Sequence, residues 1–265
     1  FNIDVITPSD HFLMSFYVPV PGLRLDHYKI DIDGMHGEDE IVNVDLDGLV
    51  KGLEALPCCV RDKKGENYGD PLNFAIVGDI RDAYYAFMRA GWDETETTYG
   101  TSLWQMLKSS VGGSEYRYSP VSALYVFGRP QDTALQKARS NINQRNHLRV
   151  WLTPMRFEGK PVWIGQISRD IGVRFTTKTI TTHKIDPNVD ETREYLIEDL
   201  AYAQSLAKIG FVRGFKAAPY DEPRANLTGD PYFSDGLRAV MFLSAEPTAI
   251  SDLEVLDLGA FPAMR

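Results

Sequence analysis

His147-Leu148-Arg149-Val150-Trp151-Leu152, followed by Pro161-Val162-Trp163-Ile164-Gly165-Gln166-Ile167-Ser168, is the stretch on which the fold reading turns. Both segments read as strands, and the connection at residues 153–160 holds Pro154 and the turn pair Glu158-Gly159. The expectation is a β-hairpin. On a strand, side chains two apart share a face, so His147 and Arg149 point the same way.

Downstream, residues 174–183 are rich in Thr and read as an exposed strand. Residues 190–207 carry Leu196, Ile197, Leu200, Ala203 and Ala207 at helical spacing, with Asp190 placed to cap the start and Gly210 to stop the chain. Strands are expected at 211–215 and 237–243, separated by a loop rich in Pro, Asp and Gly. Upstream, Phe74-Ala75-Ile76-Val77 reads as the centre of a buried strand over 71–79. A helix over 80–90 follows, with Asp79 at its N-cap and Gly91 at its end. A further helix is expected over 102–110, broken by Gly112-Gly113, and a strand over 121–127. Nearer the start, Tyr28-Lys29-Ile30-Asp31-Ile32-Asp33 alternates with period two, a half-exposed strand ending at Gly34. Asp45 is placed to cap a helix running to Leu56, where Pro57 stops it.

Hairpins mixed with strand–helix units predict an α+β fold: a mixed or antiparallel sheet flanked by helices in a single compact domain. Its core is expected over about 50–215, with an acidic extension over 1–49 and a strand-and-loop region over 216–265. At 265 residues, 43% apolar and 25% charged, the composition excludes a disordered chain. No apolar run is long enough to cross a bilayer as a helix. The chain starts at Phe1, so an export or anchor segment upstream is expected.

The net charge of −9 argues against a nucleic-acid partner, because phosphate binding needs a positive footprint. That charge is uneven. Eight acids between Asp26 and Asp47 face Lys29 alone, whereas Arg129, Lys137, Arg139, Arg145 and Arg149 are offset only by Asp132. The basic island either neutralises the acidic segment or binds a carboxylate or phosphate, which guanidinium forks match in pairs. Asp31-Ile32-Asp33-Gly34 hints at calcium, but the ligands an EF-hand needs do not follow, and a solvated acidic face is the plainer reading.

A second cluster gathers Asp170, His183, Asp186, Asp190 and Arg193. Histidine beside carboxylates suits acid–base work or a divalent metal. The same residues are also ordinary turn and cap chemistry, and no strict ligand spacing is present. No resident cofactor is expected. Cys58 and Cys59 are the only cysteines and are read as buried, reduced, structural thiols. No Gly-x-Ser-x-Gly elbow marks a serine nucleophile.

Several stretches follow one another in a specific order. They are Leu56-Pro57-Cys58-Cys59, Gly69-Asp70-Pro71-Leu72-Asn73, Val77-Gly78-Asp79, Ala90-Gly91-Trp92 and Ser119-Pro120-Val121-Ser122. After them come Phe127-Gly128-Arg129-Pro130-Gln131-Asp132, Arg145-Asn146-His147-Leu148-Arg149-Val150-Trp151, Val162-Trp163-Ile164-Gly165 and His183-Lys184-Ile185-Asp186-Pro187-Asn188-Val189-Asp190. The series resembles the LssY C-terminal-domain family of bacterial proteins from about residue 50 to 215. The resemblance brings no catalytic roles to carry over. It implies a context: members are often joined to membrane-embedded, DedA-like or lipid-phosphatase-like modules, or carry an export signal. The implied setting is the bacterial cell envelope, periplasmic or membrane-tethered, near phospholipid or polyprenyl-phosphate chemistry.

Three functional expectations follow. The first is a module that binds an anionic lipid head group, an envelope metabolite or a membrane-protein partner through Arg129, Arg145, Arg149 and Arg193. The second is a hydrolase or phosphoryl-transfer enzyme. There His147 or His183 is the acid–base group, oriented by Asp170 or Asp186, with Arg129 and Arg149 as anion clamp. The third is a metal site on His183, Asp186 and Asp190.

Overall fold

The computed structural model describes residues 2–7, 10–15, 30–32, 34–95, 97–98, 121–141, 144–174 and 182–262. The protein is mostly β, with three α-helices among the described residues: α1 (Leu46–Ala55), α2 (Ile80–Arg89) and α3 (Val189–Tyr202). Ten strands form the principal sheet and are labelled in chain order. They are β1 (Val42–Val44), β2 (Phe74–Val77), β3 (Asp93–Glu94), β4 (Thr133–Asn141), β5 (Gln144–Phe157), β6 (Lys160–Arg174), β7 (Thr182–Ile185), β8 (Leu206–Arg213), β9 (Leu237–Leu243) and β10 (Glu254–Val255).

The spatial order is β10-β8-β9-β2-β6-β5-β4-β3, with β7 alongside β6 and β1 alongside β5. The β10–β8, β9–β2 and β1–β5 pairs are parallel and the others antiparallel, so the sheet is mixed. The expected hairpin is its centre. Glu158 and Gly159, both at positive φ (50° and 75°), make the two-residue turn between the Phe157↔Lys160 pair. Strand β9 lies against β2, so the region after residue 215 supplies a central strand.

Alternation along β5 and β6 sorts the core into two sides. Leu148, Val150, Leu152, Trp163 and Ile167 pack with Phe87 of α2 and with Leu196 and Leu200 of α3. Trp151, Val162 and Ile164 pack on the other side with Leu49 and Leu53 of α1. Gly165 is required at the contact with β2, because a Cβ there would fall inside the Phe74 ring. Beside it, the Asn73 side chain extends the ladder. Its Oδ1 accepts from the Ile167 amide at 3.0 Å, and its Nδ2 donates to the Ile167 carbonyl at 3.1 Å. Asn73 thus holds the register of the distal half of β6.

A four-stranded sheet is formed by Cys59–Arg61, Tyr68–Pro71, Tyr125–Val126 and Arg129–Pro130. Arg238 of β9 ties it to the rest. Its buried guanidinium donates to the carbonyls of Leu53, Pro57 and, at 2.8 Å, Leu72.

Several expectations are corrected. The part of the 28–33 segment that is described, residues 30–32, is not a strand. The Asp31 carboxylate instead accepts from the Gly34 amide at 3.0 Å and closes a turn. The 121–127 segment is two short strands in different sheets, Val121–Ser122 and Tyr125–Val126. Helix α3 stops at Tyr202 rather than 207, because Gln204 takes a left-handed conformation (φ 55°) and β8 then begins at Leu206. Its N-cap is Asn188, which accepts from the Glu191 amide; Asp190 lies in the first turn. Asp79 occupies the N-cap position of α2 without a side-chain capping bond. Cys58 and Cys59 are joined in a vicinal disulfide, not reduced thiols. The expected helix over 102–110 lies outside the described residues, as does the middle of the 174–183 segment.

Candidate functional site

The face of β5 that buries Trp151 becomes polar toward the start of the strand. Arg145, His147 and Arg149 follow one another at alternate positions and all three are buried. Across the β5–β6 ladder, His147 faces Ser168 and Arg149 faces Gln166; across the β4–β5 ladder, His147 faces Gln136. Asp170, two residues beyond Ser168, completes the set and is 1% exposed.

These side chains form two hydrogen-bonded runs, Arg149–Gln166–Ser168–His147 and Asp170–Arg145–Gln136, which meet at a 3.5 Å contact between His147 and Asp170. Arg149 Nη1 donates to Gln166 Oε1 at 3.1 Å, which turns the Gln166 amide nitrogen toward Ser168 Oγ at 2.8 Å. The Ser168 oxygen therefore accepts from Gln166 and has its single proton to give to His147 Nε2, 3.0 Å away. That makes Nε2 the acceptor and leaves the imidazole proton on Nδ1, which faces Asp170 Oδ1 at 3.5 Å. Asp170 Oδ2 in turn accepts from Arg145 Nε at 3.1 Å, and Arg145 Nη1 donates to Gln136 Oε1 at 2.8 Å. The serine, imidazole and carboxylate are ordered as in a nucleophile–base–orienter relay.

Asp70, from the smaller sheet, adds a second buried carboxyl. Burial pushes it up to about 6, against the lowering effects of a hydrogen bond to Asn226 and of the Arg149 charge. Burial likewise lowers Arg149 to about 10, although Asp70 and Asp170 favour its charged form. Asp70 Oδ1 and Arg149 Nε have no hydrogen-bond partner among the described residues. The cluster therefore places buried charges beside unused acceptor and donor capacity, the mark of a functional-site candidate.

The remaining expected site residues lie elsewhere. Arg129 is occupied by Asp132, at 3.1 and 2.9 Å, and by the Leu152 carbonyl at 2.8 Å. Arg193 is fully buried and forked onto Asp235 by two bonds of 2.9 Å, with a third to the Leu237 carbonyl. Asp186 contacts Arg169 at 3.4 Å and accepts from the Asn188 amide. Asp190 accepts from Ser234 Oγ and the Asp235 amide at 2.6 and 2.7 Å. Asp186 and Asp190 thus serve local structure around α3. His183 pairs with Val173 through the β7 backbone, and its side chain lies outside the described residues. Among the described residues no group of three or more His, Cys, Asp or Glu could hold a metal.

Within the described residues, the basic island forms ion pairs with Asp132, Asp170 and Asp199. Residues the sequence reading passed over are Ser168, Gln166, Gln136 and Asp70. Asp70 lies in the Gly69-Asp70-Pro71-Leu72-Asn73 motif, and Ser168 follows from pairing β5 with β6 once the turn is placed at Glu158-Gly159.

The family model described as LssY C-terminus matches residues 53–237, reaching further toward the C-terminus than the motifs alone indicated. No curated protein and no solved structure matches the chain. No helix among the described residues is long and apolar enough to cross a membrane. With 53–237 covering most of its length, the chain belongs to the LssY C-terminus family.

Proposed function

We propose that the β5–β6 cluster is the active site of a hydrolase acting on an anionic, phosphate-bearing substrate of the bacterial envelope. The supporting observation is the Ser168–His147 hydrogen bond, Oγ to Nε2 at 3.0 Å, with the Asp170 carboxylate 3.5 Å from the other ring nitrogen. In this reading Ser168 Oγ attacks the phosphorus as His147 takes its proton, the ester P–O bond breaks and His147 returns that proton to the leaving alcohol; water, deprotonated by His147, then hydrolyses the phosphoserine, releasing phosphate and restoring the Ser168 hydroxyl. Asp170 stabilises the imidazolium, and Arg145 and Arg149 flank the oxygens that gain charge. Ser168 is wholly buried, so substrate reaches it only when the covering chain moves. The setting is a tethered or periplasmic one in which the sheet and its helices work as one compact unit beside a membrane-protein partner.

A second reading is a module that binds the anion without turning it over. It is favoured by the inward engagement of both arginines, Arg145 by Asp170 and Arg149 by Gln166.

The test compares wild type with Ser168→Ala and His147→Gln, each checked for folding by circular dichroism. The readouts are p-nitrophenyl phosphate turnover and time-dependent labelling by a fluorophosphonate. The hydrolase reading expects both in wild type and a loss of about 10³-fold or more in each variant. Saturable binding of the phosphate ester with no turnover, unchanged in His147→Gln, replaces it with the binding module. Neither turnover, labelling nor binding refutes both.

A further inference from the structure

A groove of about 310 Å³ opens on the smaller sheet and shares no lining residue with the His147 cluster. One bank is the turn after Arg61, carrying Lys63 and Lys64. The other is the tip of the hairpin joining Tyr125–Val126 to Arg129–Pro130, and Cys59 of the vicinal disulfide lies in the floor. Its size is at the lower end of small-molecule sites, which span roughly 300–1,000 Å³.

The groove carries a net positive charge, Arg61, Lys63 and Lys64 against one lining acid. Asp62, its single acid, is folded back on its own turn: its carboxylate accepts from the Glu66 amide at 2.9 Å and from Asn67 Nδ2 at 2.6 Å. Arg61 is fixed by the Gly65 carbonyl and the Tyr68 hydroxyl, both at 2.7 Å. Lys63 and Lys64 pair with no acid among the described residues, in a chain of net charge −9. In an acidic protein, two ammonium groups beside a held guanidinium, against one carboxylate turned into its own loop, make a local attraction for anions.

The hairpin tip supplies the second requirement. Phe127 and Gly128 form its two-residue turn with φ of 55° and 74°. That geometry suits Asn or Gly at both positions and disfavours a bulky side chain. Phe127 nevertheless occupies the first, with 41% of its surface exposed, and Tyr125 lines the same groove. Backbone strain that presents an exposed aromatic ring at the mouth of a groove is the pattern of a ligand contact. The flat C–H face of a sugar ring stacks on such a ring and leaves its hydroxyls in water, and the open groove offers no enclosed channel for a hydrocarbon chain.

We infer that this groove is a binding site for a small acidic sugar, its ring against Phe127 and Tyr125 and its anionic group on Lys63 and Lys64. The site is separate from the His147 cluster and does not depend on what that cluster does. The negative group is a carboxylate or a phosphate, and the probes distinguish the two.

The experiment is a ligand-observed NMR titration of the full chain at low ionic strength with glucuronate, glucose 6-phosphate, glucose and inorganic phosphate. The expected result is saturable binding of one or both acidic sugars, at least tenfold tighter than glucose or inorganic phosphate. The better of glucuronate and glucose 6-phosphate identifies the anionic group. Binding should weaken tenfold or more in the Lys63→Ala/Lys64→Ala double variant and in Phe127→Asn, which keeps a turn-compatible residue. Thermal melts unchanged from wild type exclude misfolding; for a variant whose melt is lowered, the same titration uses Lys63→Gln/Lys64→Gln or Phe127→Gly in its place. No saturable binding of either acidic sugar, acidic-sugar binding that survives the lysine changes, or inorganic phosphate binding as tightly with no effect of Phe127→Asn overturns the proposal.

Discussion

His147 Nε2 lies 3.0 Å from Ser168 Oγ, and the two residues are direct partners in the β5–β6 register. The contact is therefore fixed by strand pairing as well as by the side chains. Residues acting as one unit lose their effect together. Ser168→Ala, His147→Gln and the double variant should fall to the same residual turnover, instead of multiplying their losses. Steady-state kinetics on the three proteins checks this, and multiplicative losses would show that the two groups act separately.

Asp170 is the buried counter-charge of Arg145. Replacing one member of a buried pair leaves the other desolvated and uncompensated, which typically costs about 3–5 kcal/mol. Asp170→Asn should lower the urea midpoint accordingly, with an unchanged m-value. The joint change Asp170→Asn with Arg145→Met should recover part of the loss. A loss below about 1 kcal/mol in the single variant would mean that the Arg145 charge finds water in the fold.

Asp70 has a folded-state value of about 6 against 3.8 for the free side chain, raised mainly by burial. The folded protein thus keeps a proton that the unfolded chain has already released. The stabilising contribution is full below about pH 3.8 and declines as pH rises through 6. Denaturant titrations should show wild type losing about 3 kcal/mol relative to Asp70→Asn between pH 3.5 and 8. Parallel pH profiles for the two proteins would remove Asp70 as the source.

Arg193 and Asp235 form a two-bond fork in which the guanidinium is fully buried. An ammonium cannot reproduce that geometry. Arg193→Lys should therefore destabilise by about 2 kcal/mol or more while leaving any p-nitrophenyl phosphate turnover per folded molecule within twofold. A selective loss of turnover with unchanged stability would return Arg193 to the site.

The Cys58–Cys59 disulfide encloses no intervening chain. A loop this short removes little freedom from the unfolded state, about 1 kcal/mol by the chain-entropy relation. Thermal unfolding with and without dithiothreitol should differ by only a few degrees. A shift above about 10 °C would mean that reduction also disrupts the neighbouring Cys59–Pro71 strand pairing.

The central hairpin was legible because its signals are local: two strand-like segments and a Glu158-Gly159 turn in the left-handed region. Helices α1 and α2 were legible for the same reason, with α1 starting from an Asp45 cap that accepts from the Gly48 amide at 2.8 Å. The end of α3 was not legible. Its apolar spacing continues through Ala203 and Ala207, but a single residue, Gln204, reverses the backbone so that Leu206 can join the sheet. The period-two segment over 28–33 misled because Asp31 closes a turn onto the Gly34 amide instead of continuing a strand.

From the sequence alone, the mixed α+β character, the family, the shared face of His147 and Arg149 and the basic island could be read. These depend on residue type and short-range periodicity. Which charges meet was decided by tertiary structure. Strand register set Ser168 against His147, the smaller sheet brought Asp70 toward Arg149, and the packing of α3 drew Arg193 to Asp235. Each of those contacts joins segments at least 20 residues apart, and their energies depend on burial, which no local pattern specifies.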